Sequence, residues 1–312
     1  MKKIFSIFVV ALMSATMYAA ETEYLPITAY AMPDQEPFPD GAKAYLENKL
    51  NQLLTKNGIA GLDYTGQFIL TAFTTPLDKD IIPGPPSKIS EKMEMNLYIA
   101  DVYTKMVFST TSVTLRGLGE TETKCYLNAL SHMPLQSPQI AQFIADGKAK
   151  IIAYYDHEGE AMIKKAEYLA KMKQYEEAIY WVSLIPQQCK YYDAALAMGI
   201  SIYQMYIDNQ CNINLAAARQ AWAAEQNASG AVAAGEYLAN ILPDASCYSE
   251  AMELYKEIKS KVLDDWKFEM KIYQDGVDLE KQRIDAMRQV GVAYGNHQPN
   301  KEVNIGFIRT LL

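Results

Sequence analysis

Two carboxylate pairs, Asp78-Lys79-Asp80 and Asp264-Asp265, have the type and spacing that general acid–base chemistry uses. The first stands beside Pro83-Gly84-Pro85-Pro86, which reads as a loop, and the second lies in a charged helical stretch. Both therefore read as solvated surface. Gly117-Leu118-Gly119 falls between a strand pattern and a helix pattern, where backbone amides can cradle a pyrophosphate. The third glycine position holds Glu122, and Glu120 and Glu122 would repel a phosphate; carboxylates there suit the helix dipole instead. His132, His157 and His297 are far apart, with no second ligand at helical spacing, so no metal site is expected. No serine occupies a Gly-x-Ser-x-Gly elbow, and none of the four cysteines has neighbours that would lower its pKa. The expectation is a protein with no catalytic residue and no cofactor. Asn227-Ala228-Ser229 fits a glycosylation acceptor, a weak three-residue pattern.

Cys125, Cys189, Cys211 and Cys247 form no C-x-x-C pair, which argues against structural zinc. In an oxidising compartment Cys189 and Cys211 are the candidate disulfide between neighbouring helices, although burial as small apolar packers reads equally well. Residues 1–20 look like a secretory signal peptide: Met1-Lys2-Lys3, an apolar run from Ile4 to Met13, then Ala19-Ala20. No cysteine is near for a lipid anchor, so a periplasmic or secreted location is expected, with no stable membrane insertion. Formal charge is -8, and losing Lys2 and Lys3 takes it to -10. An acidic surface disfavours nucleic acid, because no excess of cations neutralises phosphates.

The elements that would position these groups begin with residues 21–155. A strand over Leu25 to Ala31 precedes a helix whose Leu46, Leu50, Leu53 and Leu54 share one face and whose end Gly58 caps. Gln67 to Thr74 is rich in strand formers. Met93, Met95, Leu97 and Ile99 then alternate with Glu94, Asn96 and Tyr98, a strand buried on one side. Asp101 to Lys105 turns the chain into a partner strand, Val107 to Leu115. Helices follow after Gly119 and at Ser137-Pro138, where serine caps and proline fits the first turn. The order strand, helix, three strands, two helices predicts an α+β domain with a small mixed sheet. It resembles the periplasmic accessory domain of penicillin-binding-protein activators and curli-secretion pore proteins, through Leu97-Tyr98-Ile99-Ala100-Asp101, Thr114-Leu115-Arg116-Gly117 and Gly119-Glu120-Thr121. The resemblance implies a protein-binding domain without catalysis.

Residues 156–262 are helical throughout. Tyr175-x-x-Ala178-x-x-x-Val182, Leu215-x-x-Ala218-x-x-x-Trp222 and Tyr248-x-x-Ala251-x-x-x-Tyr255 repeat one pattern, and Glu167-Tyr168-Leu169-Ala170 returns as Glu236-Tyr237-Leu238-Ala239. With Ala166, Leu169 and Pro186 these resemble the tetratricopeptide repeat, whose period is about 34 residues. About three helical hairpins are expected, with longer loops near Asp208-Asn209-Gln210 and Pro243-Asp244; a generic helical bundle fits the same pattern. Over residues 263–295, Leu263, Trp266, Met270, Tyr273, Val277, Ile284, Met287 and Tyr294 make a heptad stripe. It predicts one long helix that caps the last repeat or pairs as a coiled coil, with Trp266, Met270, Tyr273 and Val277 as the oligomer seam. A tail, 296–312, completes the chain.

Together these features predict an exported, non-enzymatic adaptor or scaffold of the bacterial cell envelope that holds an envelope protein or peptide in a helical-repeat groove. Tyr168, Tyr203, Trp222 and Tyr237 are the candidate partner-binding residues, since tyrosine and tryptophan combine contact area with a polar handle. A homo-oligomer built through the C-terminal helix, and a glycan-binding protein using the loop at Asp78 to Pro86, are the alternatives.

Overall fold

The computed structural model describes residues 25–31, 39, 41–59, 66–263, 266–272 and 278–297. The chain is α+β, with the element order predicted for its first half. Strand β1 (Thr28–Ala29), helix α1 (Ala42–Lys56), strands β2 (Phe68–Ile82), β3 (Lys88–Asp101) and β4 (Met106–Gly119), then helices α2 (Glu122–Ser131) and α3 (Pro138–Lys171) follow in turn. The sheet runs β1-β2-β3-β4, with β1 parallel to β2 and the other pairs antiparallel. Met93, Met95, Leu97 and Ile99 pack inward with Phe68, Leu70 and the leucines of α1, as their alternation requires. The opposite face carries a second, smaller cluster of Ile69, Phe73, Tyr98, Ala100 and Val102. One end of the sheet is thus apolar on both faces.

Gly117 and Gly119 serve packing rather than phosphate. A Cβ at Gly117 would lie 2.1 Å from the carbonyl oxygen of Cys125, and one at Gly119 would lie 2.2 Å from its nitrogen, so only glycine lets α2 approach β4. Thr121 caps α2 by accepting from the Lys124 amide at 3.2 Å. Asp78-Lys79-Asp80 are strand residues of β2 and not a loop, which corrects the sequence expectation. They face Lys92, Glu91 and Ser90 across the ladder, and Lys79 also pairs with Glu122. The Pro83 to Pro86 stretch is the tip of the β2–β3 hairpin.

Ser137 caps α3 through the Ile140 amide, with Pro138 in the first turn. The helix is 34 residues long and passes unbroken through Tyr155, the expected boundary between sheet and repeats. Its first part packs on the sheet and its last part on α4 (Tyr175–Ser183). The α3–α4 turn is a Schellman motif: the Gln174 amide donates to the Leu169 carbonyl and the Lys173 amide to that of Ala170, each at 2.9 Å. Lys173 holds the left-handed position at φ 60°, where a Cβ is costly. Lys173→Gly is expected to raise stability by about 0.5–1 kcal/mol, read as a higher urea midpoint at unchanged slope.

Beyond α4 come α5 (Tyr192–Ala224), α6 (Ala228–Leu238) and α7 (Tyr248–Val262). Ala178, Ala218 and Ala251 are all fully buried, so the small-residue pattern marks true helix contacts. The expected loop at Asp208 to Gln210 is absent, because α5 is one continuous helix of 33 residues. The real repeat is consequently longer than a tetratricopeptide unit: a long helix, a short helix, then a looped turn, in α3–α4 and again in α5–α6. The two loops are alike. Cys189 donates to the Pro186 carbonyl and Tyr192 to Cys189, as Ala245 does to Leu242 and Tyr248 to Ala245. Asp156 accepts from the Lys190 amide and Asp208 from the Ser246 amide, both at 2.7 Å. One turn along from each aspartate the units differ: Gly159 abuts the ring of Tyr191, whereas Cys211 is disulfide-bonded to Cys247.

That bond corrects the expected pairing of Cys189 with Cys211; Cys189 is a free, buried thiol against α3. The single long C-terminal helix is also corrected. Residues 266–272 are not helical, and the next helix, α8, spans Leu279–His297. Trp266 and Met270 are buried, Trp266 against Tyr255, Phe268 and Gly235, so neither is free to form a seam. Tyr273, Val277 and the Asp264-Asp265 pair lie outside the described residues, as do residues 1–20 and the tail beyond 297. No helix among the described residues is long and apolar enough to cross a membrane.

Candidate functional site

Of the four side chains proposed for partner binding, the structure exposes two and buries two. Tyr168, in the last turn of α3, is 63% exposed, and Tyr237, in the last turn of α6, is 41% exposed. Tyr203 is only 6% exposed, covered along α5 and stacked near Tyr206 at 6.3 Å. Trp222 is 3% exposed; its indole N–H donates to Glu257 at 3.1 Å and Lys261 sits 5.5 Å over its ring. Both belong to helix packing and not to a binding surface. Their burial follows from the same i, i+4 spacing that made them look like groove residues.

The exposed apolar surface missed in the sequence is Met172, next to Tyr168, together with Met205 and Ile213 on α5 and Val232 on α6. Nothing in their spacing separates them from core positions. Beside Met172 lies a cleft of about 280 Å³ lined by Lys173, Tyr175, Glu177, Tyr206, Asn209 and Tyr294. Three elements meet there: the α3–α4 turn, the middle of α5 and the end of α8. Glu176 also lines it and bonds the Tyr206 hydroxyl, which burial and that carboxylate hold above its ordinary range. Tyrosine rings on an acidic rim suit a peptide segment with apolar and cationic groups. On the neighbouring face Lys165 sits 3.5 Å over the ring of Trp181.

A second exposed apolar feature is the β2–β3 hairpin, where Ile81 is 73% exposed and Leu77 and Ile82 are also open. This is the segment named for glycan binding. It is a two-stranded arm with no cleft recorded at its tip among the described residues.

The groups able to do chemistry are placed as follows. His132 and His297 bond carbonyl oxygens one turn back, His157 pairs with Glu158, and all three are exposed. Among the described residues no three of His, Cys, Asp and Glu gather to hold a metal. Burial pushes the Cys189 thiol up to about 12, with Asp156 adding to the effect, and burial also raises Cys125. Thiols held protonated are poor nucleophiles. Asn227 uses its side-chain oxygen to cap α6, accepting from Ser229 and Gly230.

One carboxyl is wholly buried. Asp101, at the end of β3, accepts from the Tyr103 amide at 2.8 Å, the Thr104 amide at 3.1 Å, Gln67 Nε2 at 3.1 Å and the Tyr155 hydroxyl. Gln67 Nε2 also reaches Tyr155 Oη at 2.8 Å and the Leu184 carbonyl at 3.0 Å. Burial raises the Asp101 carboxyl above the usual range, against the donors around it. The cluster joins β2, β3, α3 and the loop after α4. Its oxygens face donors of the chain itself, so it bolts the sheet to the helical units and presents nothing to a solute.

No protein-family model, no curated protein and no solved structure matches this chain.

Proposed function

We propose that the chain is an exported, non-enzymatic adaptor of the bacterial cell envelope that holds another envelope protein or peptide on its helical units. The observation that carries this reading is the exposed pair Tyr168 and Met172 beside the tyrosine-lined acidic cleft at the α3–α4 turn. Exposed aromatic side chains at the rim of a concave surface are the groups that dominate protein recognition energetics. The disulfide Cys211–Cys247 supports export, since such a bond persists in oxidising compartments.

The test is recovery of partners from envelope extract on the immobilised chain. Tyr168→Ala with Met172→Ala is expected to lower recovery about tenfold, while the far-ultraviolet spectrum and melting curve stay unchanged. Tyr203→Ala and Trp222→Ala are poor tests, because both remove core. Equal recovery by a folded Tyr168→Ala, Met172→Ala variant would sink the cleft as the site.

A further inference from the structure

Helix α8 does not continue the stack of repeats. After α7 the chain turns back, and α8 runs across α5 and α4 towards the sheet. Its contacts fall on one line at four-residue spacing. Arg283 reaches Gln204 and pairs with Asp244 at 3.6 Å, from the loop of the second unit. At Met287 the thioether lies against Gly199 and Val182. A Cβ added at Gly291 would meet Ser183 Oγ at 2.9 Å, and one at Gly295 would meet Tyr180 at 3.0 Å and Tyr103 at 3.5 Å. A helix that stacks end-on extends a solenoid; one that lies across successive helices fills a groove.

We propose that the face made by α4 and the first half of α5 is a helix-receiving groove, and that α8 is its built-in occupant, holding the place of a partner helix with the same contact pattern. The ligand is a helix carrying arginine, methionine and two small residues, each four positions after the last. This rests on the adaptor reading and names the kind of partner such an adaptor takes.

Three observations support the assignment. The hold on α8 is shallow, since Met287, Gly291 and Gly295 are its only buried positions. A helix with so few buried contacts opens at a free energy well below that of global unfolding. The fit is also incomplete: beside the cleft at its end, a second opening of about 330 Å³ lies between α8 and α5, lined by Tyr203, Ile207, Leu242, Asp244, Arg283 and Ala286. Permanent interiors are packed to far higher density. Finally, the groove is selective. Small residues at Gly291 and Gly295 allow close backbone approach, and Asp244 favours a cation at the entrance. Removing α8 would uncover Ile179, Val182 and Tyr203, an apolar strip of the kind that binds helices.

The test uses the full chain. In Gly291→Leu the leucine cannot fit beside Ser183, so hydrogen exchange should rise in α8 while α4, α5 and the sheet keep their protection. A fluorescent peptide with the sequence of residues 279–297 should then bind that variant at least tenfold more tightly than it binds the wild-type chain. A peptide carrying the same Gly→Leu change should not bind. If Gly291→Leu does not fold, excess wild-type peptide added to the unaltered chain must raise exchange in α8 alone. Release of α8 without peptide binding, or loss of protection in α4 and α5 together with α8, overturns the proposal. Either failure leaves the adaptor reading standing if Tyr168→Ala with Met172→Ala still abolishes partner recovery, so the two are decided separately.

Discussion

Replacing Cys211 and Cys247 together by alanine is expected to lower the melting temperature by roughly 10 °C. The two cysteines are 36 positions apart, and the bond closes α6 and its following loop into a ring. Removing the cross-link restores to the unfolded chain the freedom of that ring, about 2–4 kcal/mol by the behaviour of comparable bridges. The loss should be local at first. Arg219–Glu250 and the Trp222–Glu257 bond also join α5 to α7, yet both are at or near the surface and hold weakly alone. Hydrogen exchange should therefore rise first in α7 and in the loop before it. Adding reductant to the wild-type chain should give the same shift, and adding it to the double variant should give none. Identical melting of the wild-type chain with and without reductant, and of the variant, would rule out a stabilising bond.

Asp101→Ala should be more damaging still, by about 3–5 kcal/mol. The substitution strips the acceptor from four donors in a sealed site: two backbone amides, Gln67 and Tyr155. Asp101→Asn should cost much less, because its oxygen still receives the two amides while Gln67 and Tyr155 can reverse the sense of their bonds. The pair also gives a pH signature. Burial raises the Asp101 carboxyl above its ordinary 3.8, so in the window above that value the folded chain keeps a proton that the unfolded chain has released. That contribution is fully present at low pH and is lost as pH rises through the raised value. The stability difference between wild type and Asp101→Asn should accordingly grow in favour of wild type as pH falls towards the ordinary carboxylate range. A flat difference between pH 4 and 8 would show that the carboxyl does not titrate on unfolding in that window.

Local signals in the sequence carried the first half of the molecule. Alternation at Met93 to Ile99, the leucine face of α1 and the Ser137-Pro138 start are each set by residues within a few positions of one another. Long-range choices were not legible. The heptad stripe misled because Trp266 and Met270 are buried by α6 and α7 from a non-helical segment, and burial alone reproduces an apolar spacing. The alanine pattern was real, but it sampled α4, α5 and α7, which are not equivalent members of the two units. The signal for the true unit was subtler: Asp156 and Asp208, and the loops at Pro186 to Tyr192 and Leu242 to Tyr248. Which cysteine meets Cys211 depends on how α5 stacks on α7, and no spacing along the chain reveals that. The candidate site was half legible for the same reason. An exposed Tyr168 and a buried Tyr203 have the same residue type and similar helical surroundings, and only the path of α8 tells them apart.

Helix α3 has a mechanical meaning beyond its contacts. Thirty-four residues of unbroken helix form a strut of about 50 Å, anchored at one end on the sheet and at the other in the α3–α4 turn. With Asp101 bolted to Tyr155 near its midpoint, bending there would break a sealed polar cluster. The hairpin arm and the tyrosine cleft are thus held at a fixed separation, as the two jaws of a calliper are. Whatever the cleft grips is set at a defined distance and angle from the arm, so the molecule measures the placement of its cargo as well as holding it.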